Sequence, residues 1–450
     1  MKKVLILAYD FPPYVSVGAL RPYNWYQYFK EFDVEPIVVT RQWANTYGNE
    51  LDYISPSSEK AEIIEKNEEG TIIRTAYKPN LANRILLRHG SQKLSLIRRT
   101  ISAFYEFGQF LVPMGPKRQL YLASKSFLKN EQVDCIIATG DPFILFKYAK
   151  DLSKEFNIPW IADYRDPWTT NKTNFISRYL KPWNWYFERN IVRRAQIVTT
   201  VDNIFKRKIK DIIGNRYVYV IPNGYDPRAV ESVRHIQQDN DKFRIAFVGT
   251  IYPWHPIETF LNIFNEFLLS LPDRKAELNL YGINNPSEIT SYLEEHLPQL
   301  TPNVTITSRI PNHQLLPILA RNNVMLLFNY YGYTGTKIYD YLGIKRKIIL
   351  CFTNEPEAED LKKLYYNIQE SPSDNKNIQA QILIETNSGI VISDKQHLKE
   401  SLEFLYQEFE EKGEIVCNSQ GVEKYSRKVQ VERLASLLDT FPTLSREHSK

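Results

Sequence analysis

Residues 324–350, VMLLFNYYGYTGTKIYDYLGIKRKIIL, decide how the rest of the chain is read. The stretch opens with an apolar run, 324–328, short enough for a buried parallel strand. A turn rich in glycine and tyrosine follows, then a helical segment beginning near Thr336 and a second apolar run at 347–352. A strand feeding a glycine turn that opens a helix presents backbone N–H groups, and the helix's positive end, to an anion such as phosphate. Gly332 and Gly335 let the backbone approach a ligand closely. Lys337 adds a cation near the helix start, and Asp340, one turn on, can accept hydrogen bonds from ribose or sugar hydroxyls. The same pattern also serves as an ordinary strand–loop–helix unit, so its meaning depends on what surrounds it.

Outward from this stretch, helices and strands alternate. The residues 243–248, 277–281, 304–307 and 389–392 read as strands, and 256–269, 288–297, 312–321 and 397–412 as helices. The first half repeats the architecture without repeating the sequence. Strands are expected at 4–8, 34–40, 70–74, 133–139, 159–163, 197–201 and 218–221, with helices ending near 156, over 178–194 and over 202–213. Such alternation gives a parallel, doubly wound α/β sheet that binds ligands at the C-terminal ends of its strands. With 450 residues the chain exceeds a single core, which stops growing at roughly 250–300 residues. The polar, aperiodic segment 228–241 is the best linker. It predicts an N-terminal domain over 1–228, a second domain over 229–424, and a closing amphipathic helix (425–439) with a polar tail (445–450).

Composition excludes several classes. A net charge of +5 is modest for this length and does not by itself call for nucleic acid. Cys135, Cys351 and Cys417 are odd in number and far apart, which suits free thiols in a reducing compartment rather than disulfides or a metal site. The N-terminal MKKVLILAYDFPP has an apolar core too short for a signal peptide and no small-residue cleavage site, so it reads as the first strand. No run approaches the roughly 18 apolar residues needed to cross a bilayer. A soluble or peripheral cytoplasmic protein is expected.

The first half offers its own candidates. Gly18 and Arg21 follow the first strand, and Asp163, Arg165, Asp166 and Trp168 follow the strand at 159–163. Both groups fall at strand C-terminal ends, where a crevice is expected, although Arg165 could simply pair with Asp163 or Asp166. The segment 83–130 carries nine Lys or Arg and a single acid, Glu106, interleaved with Ile, Leu, Phe and Tyr. That mixture suits an anionic membrane surface or a lipid-linked substrate. It equally suits amphipathic helices packed on the sheet with a solvated basic face.

In this order and spacing the segments resemble a GT-B glycosyltransferase of family 4, the "group 1" transferases, of the bacterial surface-polysaccharide type. The resemblance rests on FPPYVSVGALRPYNWYQYF, NIPWIADYRDPW, RRAQIVTTVDN, VIPNGYDP, FRIAFVGTIY and SGIVISD. It implies two facing Rossmann-like domains and a C-terminal crossover helix returning to the N-terminal domain. The first domain would take most of the acceptor and the second most of a nucleotide-diphosphate-sugar donor. Sugar transfer to a hydroxyl of a glycan or lipid-linked acceptor, with retention of configuration, is the implied reaction. Gly18 resembles the glycine that lets the first loop approach the donor, and Arg21 the arginine on the following helix. Gly249 and Thr250 match the glycine turn beneath the diphosphate. Gly335, Thr336 and Lys337 match the phosphate-binding turn and cation, and Asp340 stands where the second glutamate of a paired-glutamate motif would hold ribose.

The chain departs from that pattern in places. Gly332 stands where the first glutamate would be, and Asp340 is one methylene shorter than glutamate. FVGTIYPWHP lacks the Arg and Lys that clamp a diphosphate, a role left to Lys337. Thr139-Gly140-Asp141 replaces a catalytic histidine. With no Asp-x-Asp triplet of the sort that metal-dependent transferases use, neither a metal nor another cofactor is expected. Lys337 would bear the leaving group's charge, Asp163 or Asp166 would orient the acceptor hydroxyl, and Arg165 and Trp168 would bind the acceptor. The rivals are a non-catalytic sugar- or lipid-binding scaffold, an epimerase or phosphorylase of this architecture, and a nucleotide-binding protein unrelated to sugars.

Overall fold

The computed structural model describes residues 1–14, 16–43, 51–170, 180–214, 216–366, 368, 370–372 and 375–441. The chain divides into two compact units, 1–222 with 430–450, and 223–429. These boundaries lie a few residues from those read off the sequence, because the segment after Pro222 pairs with the returning chain. Tyr225 N donates to Tyr425 O (3.2 Å) and Arg427 N to Tyr225 O (2.8 Å). The expected polar tail at 445–450 and the start of the helix expected at 178–194 lie outside the described residues.

Unit 1 begins with β1 (Lys2–Leu7), α1 (Val17–Tyr28), β2 (Val34–Arg41), β3 (Ile63–Lys66) and β4 (Thr71–Thr75). Three helices follow, α2 (Leu81–His89), α3 (Ser95–Gly108) and α4 (Arg118–Leu128). The alternation resumes with β5 (Cys135–Gly140), α5 (Ile144–Phe156), β6 (Trp160–Tyr164), α6 (Lys181–Val192), β7 (Ile197–Thr200), α7 (Asn203–Ile213) and β8 (Val218–Val220). The strand order is β3-β4-β2-β1-β5-β6-β7-β8, parallel except for the antiparallel edge strand β3. Sequence reading missed β3, whose four side chains are all exposed and carry no burial pattern. The connections from β1 and β5 run in opposite directions, so the sheet's switch point lies between these two adjacent strands.

Unit 2 contains α8 (Pro227–Glu231), β9 (Phe243–Val248), α9 (Ile257–Ser270), β10 (Ala276–Tyr281), α10 (Pro286–His296), β11 (Val304–Thr307), α11 (Asn312–Arg321) and β12 (Val324–Phe328). It continues with α12 (Lys337–Gly343), β13 (Lys347–Cys351), α13 (Pro356–Tyr365), α14 (Ile378–Thr386), β14 (Gly389–Val391) and α15 (Lys395–Lys412). All six strands are parallel, in the order β11-β10-β9-β12-β13-β14. Successive residues of one strand feed opposite faces of this sheet. Phe243, Ile245 and Phe247 join one core with α9 and α15, whereas Ala246 and Val248 join the other with α11 and α12. Burial on both faces explains why these strands read as continuous apolar runs.

The last helix, α16 (Arg427–Leu437), carries Val431, Leu434 and Ala435 into the same core as Val4, Ile6 and Trp25. The chain therefore passes between the units twice, along adjacent tracks. Arg427 Nε donates to Gly224 O (2.6 Å), and a Cβ on Gly224 would meet Tyr425 O at 2.4 Å and Arg427 N at 2.9 Å. Both neighbours are backbone and cannot yield locally. Gly224→Ala should cost about 1–3 kcal/mol through overpacking, read as a lower denaturant midpoint, and an unchanged midpoint would mean the two tracks separate freely.

Candidate functional site

In unit 1 the candidate residues gather at the C-terminal ends of β1, β5 and β6. Asp163, the fourth residue of β6, is fully buried. Its carboxylate accepts from Arg21 Nε (3.0 and 3.1 Å), Arg21 Nη2 (2.7 Å), Thr139 Oγ1 (3.0 Å) and Thr199 Oγ1 (2.6 Å). Arg21 Nη1 donates to Ile221 O (2.9 Å). Two groups read from sequence as reactant contacts therefore satisfy one another. Sealed from solvent with its lone pairs occupied, Asp163 ties α1, β5, β6 and β7 together, and Arg21 has no guanidinium edge left for a donor. Both are positioning residues.

Trp168 is also corrected. Trp168 is 3% exposed and its ring stacks on Phe143 (5.1 Å, 4°) and Phe110 (5.2 Å, 28°), so it is packed inside the unit and is not presented to an acceptor. Arg165 does not pair with Asp163. Its Nε donates to Gly140 O (3.0 Å), Nη2 to Asp141 O, and Nη1 lies 3.7 Å from Asp10 Oδ2. Gly18, in the first turn of α1, is glycine for a steric reason: a Cβ there would lie 1.6 Å from Arg165 Nη1. Asp166 is exposed at this rim, its carboxyl pushed up by its crowded surroundings against the pull of Arg165.

Sequence reasoning passed over Asp10, three residues beyond the end of β1. Asp10 Oδ2 accepts from Ser16 Oγ (3.2 Å), while Oδ1 is buried with no partner among the described residues. Burial pushes its carboxyl up, and Arg165 and Ser16 oppose that shift. The signal was available, since a carboxylate at the end of a central parallel strand sits at the switch point.

In unit 2 the turn after β9 and the turn before α12 meet. Gly249 has φ +102°, and a Cβ there would be 4.0 Å from Lys337 Cε. Lys337 Nζ is 3.5 Å from Asp340 Oδ2, with Lys337 a third exposed and Asp340 nearly enclosed. Gly335 takes φ +66° beside the Tyr330 ring, and Thr336 stands at the N-cap of α12 without a side-chain capping bond. At seven residues α12 has little dipole to offer, so attraction for an anion rests on the two glycine turns and Lys337. Thr250 is half-buried beside Gly249.

Buried amides hold this mouth open. Asn329 Oδ1 accepts from Tyr331 N (2.8 Å), while Gln379 accepts from Tyr330 N (2.8 Å) and donates to Thr334 O (3.1 Å). An aromatic wall replaces the missing basic clamp. Tyr252 stacks on Trp254 (4.5 Å), and His255 packs against Tyr330 and Phe328 (both 5.2 Å). Burial lowers His255 to about 3, so it is neutral at ordinary pH; Nδ1 accepts from Tyr252 N (3.3 Å) and Nε2 carries the hydrogen. Arg309, exposed after β11 and packed against Gly282, is a further cation at this edge that sequence reading missed.

Two parallel-sheet α/β units with these turns at their strand ends define the GT-B class of fold. Residues 23–229 match the family described as Glycosyltransferase Family 4. Among solved structures, sucrose-phosphate synthase from Thermosynechococcus elongatus superposes with a TM-score of 0.55 at 14% identity, covering 99% of each chain. The trehalose-6-phosphate protein of E. coli bound with UDP-2-fluoro glucose gives 0.53 at 11% identity, over 99% of this chain and 98% of that one. Anabaena HepE in complex with UDP gives 0.52 at 13%, over 98% and 100%. At such identities the likeness establishes fold alone. No curated protein sequence matches the chain.

Two predictions follow from unit 1. Arg21→Ala leaves the buried Asp163 charge unpaired and should cost about 3–5 kcal/mol in chemical denaturation; a loss under 1 kcal/mol would deny the pair its role. Glu188 on α6 is 1% exposed and accepts from Thr169 N (3.0 Å), Thr169 Oγ1 and Tyr164 Oη (3.1 Å). Burial raises its carboxyl from 4.5 to about 7. The folded state thus binds the proton more tightly, so this contribution is full below pH 4.5 and is lost as pH rises through 7. Glu188→Gln should flatten the fall in unfolding free energy between pH 5 and 8 by up to about 3 kcal/mol, and parallel wild-type and variant curves would contradict it.

Proposed function

We propose that the chain is a glycosyltransferase that moves a sugar from a nucleotide-diphosphate donor to a hydroxyl of a glycan or lipid-linked acceptor. The observation that carries this reading is the convergence of the Gly249 turn and the Gly335–Lys337 turn at the end of the second sheet, where a Cβ on Gly249 would stand 4.0 Å from Lys337 Cε. The family 4 match over 23–229 supports the reaction class. The UDP and UDP-2-fluoro glucose held by two structures of like fold favour a uridine nucleotide as donor.

In this reading backbone N–H groups at Gly335 and Thr336, with Lys337, hold the diphosphate, and Asp340 takes the ribose hydroxyls. The Gly249 N–H donates to Tyr281 O (2.9 Å), so that turn contributes close backbone approach. Asp340 also faces Lys337, which keeps the ammonium beside the phosphates. Thr250 borders the same turn, and Arg309 offers a second cation. As the bond from the anomeric carbon to the phosphate oxygen breaks, negative charge builds on the leaving diphosphate. Fixed dipoles and Lys337 stabilise it, and no metal is called for. A bond forms to the acceptor oxygen on the same face, which retains configuration, and the acceptor proton passes to the departing phosphate oxygen.

Asp166 and Asp10 are the carboxylates that can orient the acceptor hydroxyl, with Arg165 held between the Gly140 and Asp141 carbonyls beside them. Asp163, enclosed, fixes the strand ends on which these groups stand. The acceptor side, the basic segment 83–130 and the surface-polysaccharide resemblance together favour work at the inner face of a membrane. No described helix is long and apolar enough to cross a membrane.

Replacement of Lys337 by Ala should lower turnover of a UDP-sugar about 10²–10³-fold, as for the loss of one charge-stabilising donor. UDP should raise the thermal midpoint of the wild type and raise that of Lys337→Ala less. Turnover unchanged in the variant would remove Lys337 from the role. Binding without turnover in the wild type would favour a non-catalytic sugar-binding protein, for which Gly332 in place of a glutamate is the specific indication.

A further inference from the structure

The aromatic wall of unit 2 extends past the rings that enclose the glycine turns. Its further members come from three loops: Trp254 after β9, Tyr331 after β12, and Tyr366 with Glu370 after α13. Two polar atoms on it are buried and have no hydrogen-bond partner among the described residues, the Trp254 Nε1 donor and the Glu370 Oε1 acceptor. Folded proteins rarely leave such groups unpaired, because each has given up its bonds to water. An orphan donor and an orphan acceptor on one wall call for a ligand able both to accept and to donate.

Ring contacts hold this part of the wall together. Trp254 packs edge-on against Tyr366 (5.5 Å), and Tyr366 against Tyr331 (5.1 Å). Lys362 on α13 lies 4.0 Å over the Tyr331 ring and 3.6 Å from Glu370 Oε2, which leaves Oε1 as the open position of the carboxylate. The tyrosine hydroxyls are engaged: Tyr331 Oη donates to Ala358 O (3.4 Å) and Tyr366 Oη to Tyr330 O (3.3 Å). Glu370 is 12% exposed and Trp254 half-buried, so both side chains still reach the surface. Trp254 also stacks on Tyr252, whose ring meets Tyr330 (5.5 Å), and a Cβ on Gly335 would stand 3.9 Å from the Tyr330 ring. The wall therefore adjoins the turn proposed to hold the diphosphate.

We infer that Trp254 and Glu370 form the subsite for the transferred sugar, a neutral pyranose held through its hydroxyls. A hydroxyl both donates and accepts, so it serves Glu370 Oε1 and Trp254 Nε1 alike, and the surrounding rings face the sugar's C–H surfaces. Lys362 already balances the Glu370 charge. A sugar bearing its own carboxylate would meet Glu370 as a like charge, and the subsite therefore selects against uronic acids. The inference rests on the donor reading of the Gly335–Lys337 turn and names what is carried beyond the diphosphate.

The test titrates the full chain with UDP, UDP-glucose, UDP-galactose and UDP-glucuronate, as wild type, Glu370→Gln and Trp254→Phe. Each substitution removes one hydrogen-bonding partner while keeping an amide or a ring in its place. Wild type should bind the better of the two neutral hexoses at least about tenfold tighter than the glucuronate. Glu370→Gln should weaken that hexose about tenfold, as for a hydrogen bond to a charged group, leave UDP unchanged and narrow the preference over glucuronate. Trp254→Phe should weaken it about threefold to tenfold, again without effect on UDP. Variants that bind every ligand as wild type does would overturn the subsite and leave the orphan atoms to water. Equal losses for UDP and the sugar nucleotides would overturn it too, since they would mark a role in packing alone. Wild type that binds neither UDP nor any UDP-sugar would overturn the donor reading itself, and this subsite with it.

Discussion

A carboxylate with no access to water organises the first half of this molecule. Asp163 is fully buried, and a buried charge persists only where its hydrogen-bonding capacity is met. Arg21 meets most of it from α1, and Thr139 and Thr199 meet the rest from the strands on either side of β6. Because Arg21 also holds Ile221 O, the end of the first unit's chain is drawn into the same arrangement. Around this fixed centre stand Asp10, Gly18, Arg165 and Asp166, which the fold keeps near the surface. The charge that cannot react thus sets the positions of those that can.

The parallel strands were legible because burial on both faces leaves uninterrupted apolar runs, as in Val324–Phe328 and Phe243–Val248. The edge strand Ile63–Lys66 was not, since its side chains alternate over no core. Gly249, Gly335 and Lys337 could be found because a backbone turn and a cation leave local marks in sequence. Asp163 and Trp168 lay at the right end of the right strand, and position alone does not reveal whether a side chain points into packing or toward a ligand. That distinction comes from partners distant in sequence, such as Thr199 and Phe110. Asp10 was hidden for the opposite reason, as a lone acid after an apolar run that needed Ser16 and Arg165 around it to acquire meaning.

The second unit solves its electrostatic problem sparingly. In the proposed reading, this turn, without flanking Arg or Lys, leaves an anion to the backbone donors near Gly335, to Lys337 and to whatever Arg309 contributes from the neighbouring loop. Neutral His255, stacked Tyr252 and Trp254, and Tyr330 surround the turn with rings instead of charges. Low polarity strengthens each remaining dipole. The amide braces at Asn329 and Gln379 keep those dipoles fixed, the condition under which they contribute most to charge development.

The claim on which this account turns is that the Gly249 and Gly335–Lys337 turns grip the diphosphate of a nucleotide. Hydrogen–deuterium exchange of the full chain with and without UDP tests it at peptide resolution. The account predicts slowed exchange in peptides covering 249–256 and 329–340. Unchanged exchange in both segments at saturating UDP, or protection confined to the first unit, would contradict it.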